Sequence, residues 1–91
     1  MIFEWDEQKR CENIRKHKLD FRDCARVFRW HTVIVPDERM DYGELRWRLF
    51  GMLMDRVVVV IYVVRGNAFR VISMRKAKLH EQTFYFESFE D

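Results

Sequence analysis

The longest apolar stretch of the chain lies at residues 56–65. Eight uncharged residues, seven of them β-branched, stand between Arg56 and Arg65. β-Branched side chains suit a pleated backbone and crowd a helix. Because the run does not alternate apolar with polar residues, both faces should be covered. The pattern predicts the central strand of a sheet, with a buried helix as the alternative; a membrane-spanning helix would need about 20 apolar residues.

The segments on either side of this run alternate apolar and polar residues, as half-buried strands do. Residues 44–52 put Leu45, Trp47 and Leu49 on one face and Glu44, Arg46, Arg48 and Phe50 on the other. Residues 68–74 alternate likewise, with Ala68, Arg70 and Ile72 on one face and Phe69, Val71 and Ser73 on the other. Turns at Met54-Asp55 and Gly66-Asn67 separate these strands. The second is a tight hairpin turn, because Gly and Asn tolerate positive φ. A further strand, Thr32–Pro36, ends at the only proline.

Two helices are predicted before the sheet, after a short strand at Ile2–Trp5. Asp6 resembles an N-cap, and the first helix runs to about His17 with Cys11 and Ile14 on a thin apolar side. Asp20 caps the second helix, whose apolar stripe consists of Phe21, Cys24, Ala25 and Phe28.

A C-terminal helix is predicted from Arg75 onward, and an aromatic cluster follows it. The cluster consists of Phe84, Tyr85, Phe86 and Phe89. These rings either fold back over the sheet or form an exposed patch. The element order is therefore β-α-α-β-β-β-β-α. It predicts an α+β fold in which a small antiparallel sheet carries the two N-terminal helices on one face, together with the C-terminal helix, as one domain over residues 1–91.

Charge and cysteine content limit the possible classes of protein. The formal net charge is only +2, but Lys and Arg dominate residues 9–29 and 65–78, so an anion-binding face is possible. The two cysteines and three histidines are scattered, and we expect no metal site and no cofactor. The N-terminus shows no signal peptide, so we expect a cytoplasmic protein with reduced thiols and no membrane partner.

Arginines on the second face of the sheet are the main candidates for chemistry. Guanidinium groups match phosphates, and aromatic rings can stack on RNA bases. RNA cleavage needs a base, an acid and a cation for the charged phosphorane. The candidate cations are Arg46, Arg48, Arg70, Arg75 and Lys76; Glu44, Tyr62, Tyr85 or a histidine could move protons. Solvated arginines paired with Glu44 and Glu81 would explain the same residues.

Four motifs in order make the chain resemble the BrnT-type toxins of bacterial type II toxin–antitoxin systems. They are Trp5-Asp6-Glu7-x-Lys9, Asn13-x-x-Lys16-His17-x-x-Asp20-Phe21, Arg39-x-Asp41-Tyr42-Gly43-Glu44-x-Arg46 and Arg70-Val71-Ile72-Ser73-x-Arg75-Lys76-Ala77, with Glu81 and Tyr85 beyond. The resemblance departs at Lys18, where the family usually has glycine, and at residues 28–31, where an acidic stretch is usual.

The resemblance implies a RelE-like fold and a metal-independent ribonuclease that cleaves RNA and blocks translation. It also implies a BrnA-type antitoxin that neutralises the toxin in a hetero-oligomer. The catalytic residues expected on this basis are Arg46, Arg70, Arg75, Tyr62 and Glu44; the substrate-binding residues are Lys76, Arg48, Tyr42 and His17. For His17 the alternative is a structural role at the junction of the two helices.

Two other functions remain open at this point. One is a non-catalytic RNA- or protein-binding module of the same fold. The other is a structural partner that associates through the C-terminal aromatic segment. The role of Tyr62 depends on its face: beside the arginines it could join the site, whereas under the helices it would serve only as scaffold.

Overall fold

A computed structural model of the chain describes residues 2–89. Its elements follow the predicted order. They are strand β1 (Ile2–Glu4), helix α1 (Glu7–His17), a 3-10 turn (Phe21–Asp23) leading into helix α2 (Cys24–Val27), strands β2 (Val33–Pro36), β3 (Trp47–Leu53), β4 (Arg56–Arg65) and β5 (Ala68–Lys76), and helix α3 (Leu79–Glu87). The predicted α+β class is confirmed.

The five strands form one sheet in the order β1-β5-β4-β3-β2. Strands β2 to β5 pair antiparallel through consecutive hairpins, as predicted. Strand β1 instead runs parallel to β5, with Ile2 opposite Ala68 and Glu4 opposite Arg70. The sheet is therefore mixed, because helix α1 and the following elements carry the chain from β1 across to the far edge at β2. The apolar run at residues 56–65 is the central strand.

Each face of the sheet has its own apolar cluster, because successive β4 side chains point to opposite faces. The face under α1 and α2 buries Val58, Val60 and Tyr62 against Phe21, Cys24, Val27 and their neighbours. The face under α3 buries Val57, Val59 and Ile61 with Phe50 and Tyr85. Covered on both faces, the run needs no polar alternation.

Helix α1 begins as predicted but buries a different residue. The Asp6 side chain accepts a hydrogen bond from the Lys9 amide, so the predicted N-cap is confirmed. Cys11 is exposed, so its predicted place on the apolar side is wrong. Asn13 is the buried residue of α1 instead. The helix ends at Lys18, whose φ of 61° lies in the left-handed region that favours glycine.

The second helix is short and packs closely on strand β3. Asp20 caps the 3-10 turn, and Phe21 and Cys24 are buried as predicted. Ala25 is exposed, so its place in the predicted stripe is wrong, and Val27 is buried instead. A Cβ on Gly51 would lie 2.7 Å from Val27 Cγ1, so this glycine permits the close packing of α2 on the sheet.

Strand β5 is longer than predicted and contains an irregularity. Ile61 is opposite Ser73 but Tyr62 is opposite Val71, so β5 has one extra residue at this point. Beyond the bulge Met74, rather than Ser73, joins the core under the N-terminal helices. Arg75 and Lys76 therefore belong to β5, and their predicted place in the C-terminal helix is wrong.

Strand β3 begins later and helix α3 later than the sequence pattern predicted. Glu44, Leu45 and Arg46 precede β3, and Leu45 is exposed rather than on the core face. In α3, Tyr85 is buried on the sheet, whereas Phe84, Phe86 and Phe89 remain about half exposed. The aromatic segment therefore does both things that its sequence allowed. No helix within residues 2–89 is long and apolar enough to span a membrane.

Candidate functional site

A basic cleft lies where the end of α1, the end of β5 and the start of α3 meet. Its volume is about 380 Å³. The lining residues are Lys16, His17, Lys18, Arg75, Lys76 and Lys78. Every lining side chain is either a cation or a histidine, so the cleft favours an anionic ligand.

The four lysines of this cleft carry charge that the described part of the chain does not balance. None of them forms an ion pair with a residue in 2–89. Lys18 Nζ donates only to the backbone oxygen of Arg15, at 3.0 Å. Like charges brought together without a counter-charge repel each other, and a bound phosphate would relieve that repulsion.

Asn13 fixes the end of α1 that carries His17 against β5. It does so beyond Arg70, where β1 no longer pairs with β5. Its Nδ2 donates to the carbonyl oxygens of Leu19 and Met74, both at 2.9 Å, and its Oδ1 accepts from the Met74 amide at 3.1 Å. These bonds satisfy both backbone groups of Met74, as a neighbouring strand would. His17 lies one helical turn after Asn13 on the same side of α1 and is thereby held beside Arg75.

His17 is electrostatically suited to be neutral near pH 7. Partial burial, and then the positive charges of Lys16 and Arg75, lower its pKa below the ordinary value of 6.5. The ring makes no hydrogen bond with residues 2–89. A neutral imidazole next to a guanidinium can accept a proton from a ligand while the guanidinium binds an anionic group of that ligand.

Arg75 is held by a buried carboxylate from α3. Its Nη1 and Nη2 donate to Glu81 Oε1 and Oε2 at 2.7 and 2.9 Å. The backbone N–H of Lys78 also donates to Glu81 Oε1, at 2.8 Å. Hydrogen bonds from Arg75, the largest cause, hold the pKa of Glu81 at about 2 although burial opposes this shift. Glu81 therefore positions Arg75 and also caps the N-terminus of helix α3, by accepting the hydrogen bond of the Lys78 amide.

Three predicted site residues gather elsewhere, just before β3. Arg46 Nε donates to Glu44 Oε2 at 3.2 Å, and the Arg46 Cζ lies 4.0 Å from the centre of the Tyr42 ring. Arg65 Nη2 donates to the other oxygen of the same carboxylate, at 3.4 Å. Glu44 thus lies between two arginines, so each cation of this cluster has a carboxylate in contact and one positive charge remains in excess.

Arg70 and Arg48 lie on the same face of the sheet as Arg75 but in separate surroundings. Arg70 Nη1 donates to Glu4 Oε2 at 2.8 Å. Arg48 lies 3.9 Å, from its Nε to Oδ1, from the buried carboxylate of Asp37, which Arg39 already binds at 2.6 Å. The structure therefore divides the predicted arginines among four places, each with a different carboxylate.

Tyr62 lies on the opposite face, under the N-terminal helices. It is 4% exposed and packs among Phe28 and Phe69 with ring centres 5.6 and 5.2 Å away. Burial raises its phenol pKa. Its side chain therefore lies on the other face of the sheet from Arg48, Arg70 and Arg75, and its catalytic role stays a prediction.

Of the predicted site residues, the structure brings only His17, Arg75 and Lys76 together in the basic cleft. Five residues at or beside the cleft were not among the predicted site residues: Lys16, Lys18, Lys78, Asn13 and Glu81. The signal was present in part: Lys16 and Glu81 lie within or beside the quoted motifs. The proximity of Lys18 and Lys78 depends on how α1 packs against β5, which no local pattern reports.

Within residues 2–89 no group of three or more His, Cys, Asp or Glu side chains is arranged to hold a metal ion. Burial raises the pKa of the Cys24 thiol to about 12, which keeps it protonated and unreactive.

The fold and the cleft define a class: a small α+β protein with a basic cleft that contains a histidine. A family model described as "Ribonuclease toxin, BrnT, of type II toxin-antitoxin system" matches residues 5–81. The match covers most of the chain, and the chain therefore belongs to the BrnT family. A search of curated proteins gave no significant match.

Membership in this family defines the general activity and the kind of partner. The family consists of ribonuclease toxins, and a type II system implies an antitoxin that is itself a protein. The matched range includes every residue of the basic cleft, from Lys16 to Lys78, and also Glu81.

Proposed function

We propose that this chain is a metal-independent endoribonuclease that cleaves RNA in the basic cleft and thereby inhibits translation in the cytoplasm. The observation that carries the proposal is the arrangement of His17, with its lowered pKa, beside Arg75 and among four lysines without ion-pair partners. The family is described as a ribonuclease toxin, so its substrate is RNA. RNA is a polyanion, and a cleft lined with lysines suits its phosphates.

The proposed reaction uses the 2′-hydroxyl of the RNA as nucleophile. Neutral His17 removes the 2′-hydroxyl proton, the 2′-oxygen bonds to phosphorus, and the bond from phosphorus to the 5′-oxygen breaks. Arg75 stabilises the extra negative charge of the phosphorane, and a lysine ammonium of the cleft gives a proton to the leaving oxygen. The products are a 2′,3′-cyclic phosphate and a 5′-hydroxyl end. Arg46, Arg70 and Glu44 stay predictions as catalytic residues.

The proposal is tested by incubating the purified protein with end-labelled RNA in EDTA. We expect cleavage with cyclic-phosphate ends, and a loss of about 10²–10⁴ in kcat/KM for His17→Gln. His31→Gln is the matched control, because His31 is exposed and lies outside the cleft. RNA binding without cleavage by the wild-type protein would favour the non-catalytic module, and cleavage only without EDTA would contradict metal independence.

We also propose that the partner is a BrnA-type antitoxin that forms a hetero-oligomer with this chain and neutralises it. The family supports an antitoxin in general, and the exposed Phe84, Phe86 and Phe89 give α3 an apolar surface suited to a protein contact. Co-expression of a BrnA-type protein should allow both chains to be purified together and should restore growth. Growth arrest that persists despite a stable complex would contradict neutralisation.

A further inference from the structure

A second cleft lies on the α3 side of the sheet, next to the basic cleft. Its volume is about 370 Å³, which falls within the range of small-ligand sites. Val35, Arg48, Phe50, His80, Glu81 and Phe84 line it. The rings of Phe50 and Phe84 lie 5.2 Å apart between centres, at 67° to each other. Phe84 is 43% exposed, so part of its ring is accessible to a ligand.

The guanidinium of Arg48 differs from that of every other half-buried arginine in residues 2–89. Arg10, Arg46, Arg70 and Arg75 each donate to a carboxylate. Arg48 makes no hydrogen bond in this part of the chain, and its Nε is buried without a partner. Its ion-pair partner Asp37 lies 3.9 Å away, from Arg48 Nε to Asp37 Oδ1. Both carboxylate oxygens of Asp37 already accept hydrogen bonds from Arg39.

Arg48 keeps a long ion pair with Asp37, at 3.9 Å, but a half-buried guanidinium that donates no hydrogen bond is costly unless a further acceptor binds it. The side chain is still 26% exposed, so a ligand in the cleft can reach the guanidinium. The ligand should therefore combine hydrogen-bond acceptors with an apolar, planar body that fits beside Phe84.

We propose that this cleft is a base-binding subsite that takes guanine. A guanidinium can donate two parallel hydrogen bonds to O6 and N7 of guanine, whereas adenine and cytosine present an amino donor at the equivalent edge. Phe84 supplies a stacking surface, as aromatic side chains do for unpaired RNA bases. A hydrated phosphate alone would not use the Phe50, Phe84 and Val35 walls.

The position of the subsite connects it to the proposed reaction, on which this inference rests. Glu81 lines the second cleft and Arg75 lines the basic cleft, and these two side chains are joined by hydrogen bonds of 2.7 and 2.9 Å. One ion pair thus separates the two clefts. A nucleotide with its phosphate at Arg75 can place its own base, or the adjacent one, at Phe84 and Arg48.

Mononucleotide binding tests the subsite independently of cleavage. Titration with 3′-GMP and 3′-CMP, followed by NMR or calorimetry, should give about tenfold tighter binding of 3′-GMP. Arg48→Gln should remove this preference, and Phe84→Leu should weaken both nucleotides about tenfold. Arg29→Gln removes an exposed arginine that lines neither cleft and should change neither result.

Cleavage assays then separate failure of the subsite from failure of the ribonuclease. Wild-type protein that prefers 3′-GMP but cuts no RNA would overturn the ribonuclease proposal and leave the subsite standing. Cleavage without preference for guanine, unchanged in Arg48→Gln, would overturn the subsite alone. The subsite would also be overturned if the protein bound an acidic peptide but not 3′-GMP, and if Phe84→Leu weakened the binding of that peptide. Melting curves check that Arg48→Gln is folded. If it is not, Phe84→Leu still tests the subsite, because Phe84 is more exposed and its replacement disturbs the fold less.

Discussion

The basic cleft and the Glu44 cluster both gather cations at an end of the sheet, but their charges are balanced differently. At the Glu44 cluster one carboxylate receives hydrogen bonds from Arg46 and from Arg65. Among residues 2–89, the carboxylate that contacts the cations of the basic cleft is Glu81, which is fully used by Arg75 and the Lys78 amide. Its four lysines make no ion pair with residues 2–89.

The difference shows that a count of arginines is a poor guide to a phosphate site. A cation whose charge is already neutralised by a carboxylate gains less from binding phosphate. Arg75 is itself paired with Glu81 and therefore contributes positioned N–H donors, whereas the four lysines, which have no ion-pair partner in residues 2–89, supply the unbalanced charge. The basic cleft also has a neutral histidine, which the Glu44 cluster lacks, so only the cleft combines phosphate binding with a proton acceptor.

The strongest test of this comparison replaces an arginine in each region. Arg75→Ala should lower kcat/KM by about 10²–10³, because a cation aimed at the phosphorane is lost. Arg46→Ala, which breaks the bond to Glu44 and the contact with the Tyr42 ring, should cost less than about tenfold. Arg75→Lys keeps the charge and should retain part of the activity. A larger loss for Arg46→Ala would move the site to the Glu44 cluster; melting curves are needed, because Arg75→Ala leaves Glu81 without its partner.

Asn13 is expected to hold the histidine side of the cleft in place. Asn13→Ala removes three hydrogen bonds and leaves the backbone groups of Met74 without partners, so the free energy of unfolding should fall by about 2–4 kcal/mol. Urea unfolding measures this loss. The exposed Cys11→Ala, on the same helix, is the control and should have an effect within about 0.5 kcal/mol. Equal effects of the two changes would mean that Asn13 does not anchor α1.

Charge without a partner should be visible in the salt dependence of RNA binding. The double change Lys76→Gln/Lys78→Gln should reduce the slope of log K against log salt by about 1.4 for single-stranded RNA, if both lysines contact phosphate. Arg46→Gln/Arg65→Gln removes the same charge from the Glu44 cluster and should reduce the slope less. Identical slopes for the two variants would remove the distinction between the regions.

Lys18 combines a left-handed backbone with a place in the cleft, and the two effects can be separated. Lys18→Gly should raise the free energy of unfolding by about 0.5–1 kcal/mol, because glycine adopts φ near 61° without strain. Lys18→Ala removes the same charge but keeps the Cβ, so it should not give this gain. If both variants gain equally, charge repulsion rather than the backbone limits stability.

The pH profile reports the charge around His17. Because its pKa is lowered, the imidazole stays neutral down to below pH 6.5, and the proposed activity should fall only as pH drops through that lowered pKa. Lys16→Gln removes one of the positive charges responsible, so the acid limb should move to higher pH. His31→Gln should leave the profile unchanged. An acid limb that Lys16→Gln does not shift would mean that another group is the base.

Much of the fold could be predicted because its signals are local. The run of β-branched residues in 56–65 matches the bounds of β4, and Asp6 and Asp20 cap their helices as expected. The resemblance to BrnT toxins, carried by short motifs, agrees with the family match. Predictions from periodicity were wrong where a tertiary contact decides burial: Cys11 is exposed, whereas the polar Asn13 is buried by its bonds to β5.

By itself the sequence determined the α+β class, the central strand and the family, because strand propensity, helix capping and motif spacing are read along the chain. Tertiary structure decided which charges meet. The extra residue in β5 turns Arg75 away from the core under α1 and α2 and towards Glu81. Asn13 then brings His17 to the same place. Both outcomes depend on long-range pairing and on which cations find a carboxylate, and neither property is encoded in a local pattern.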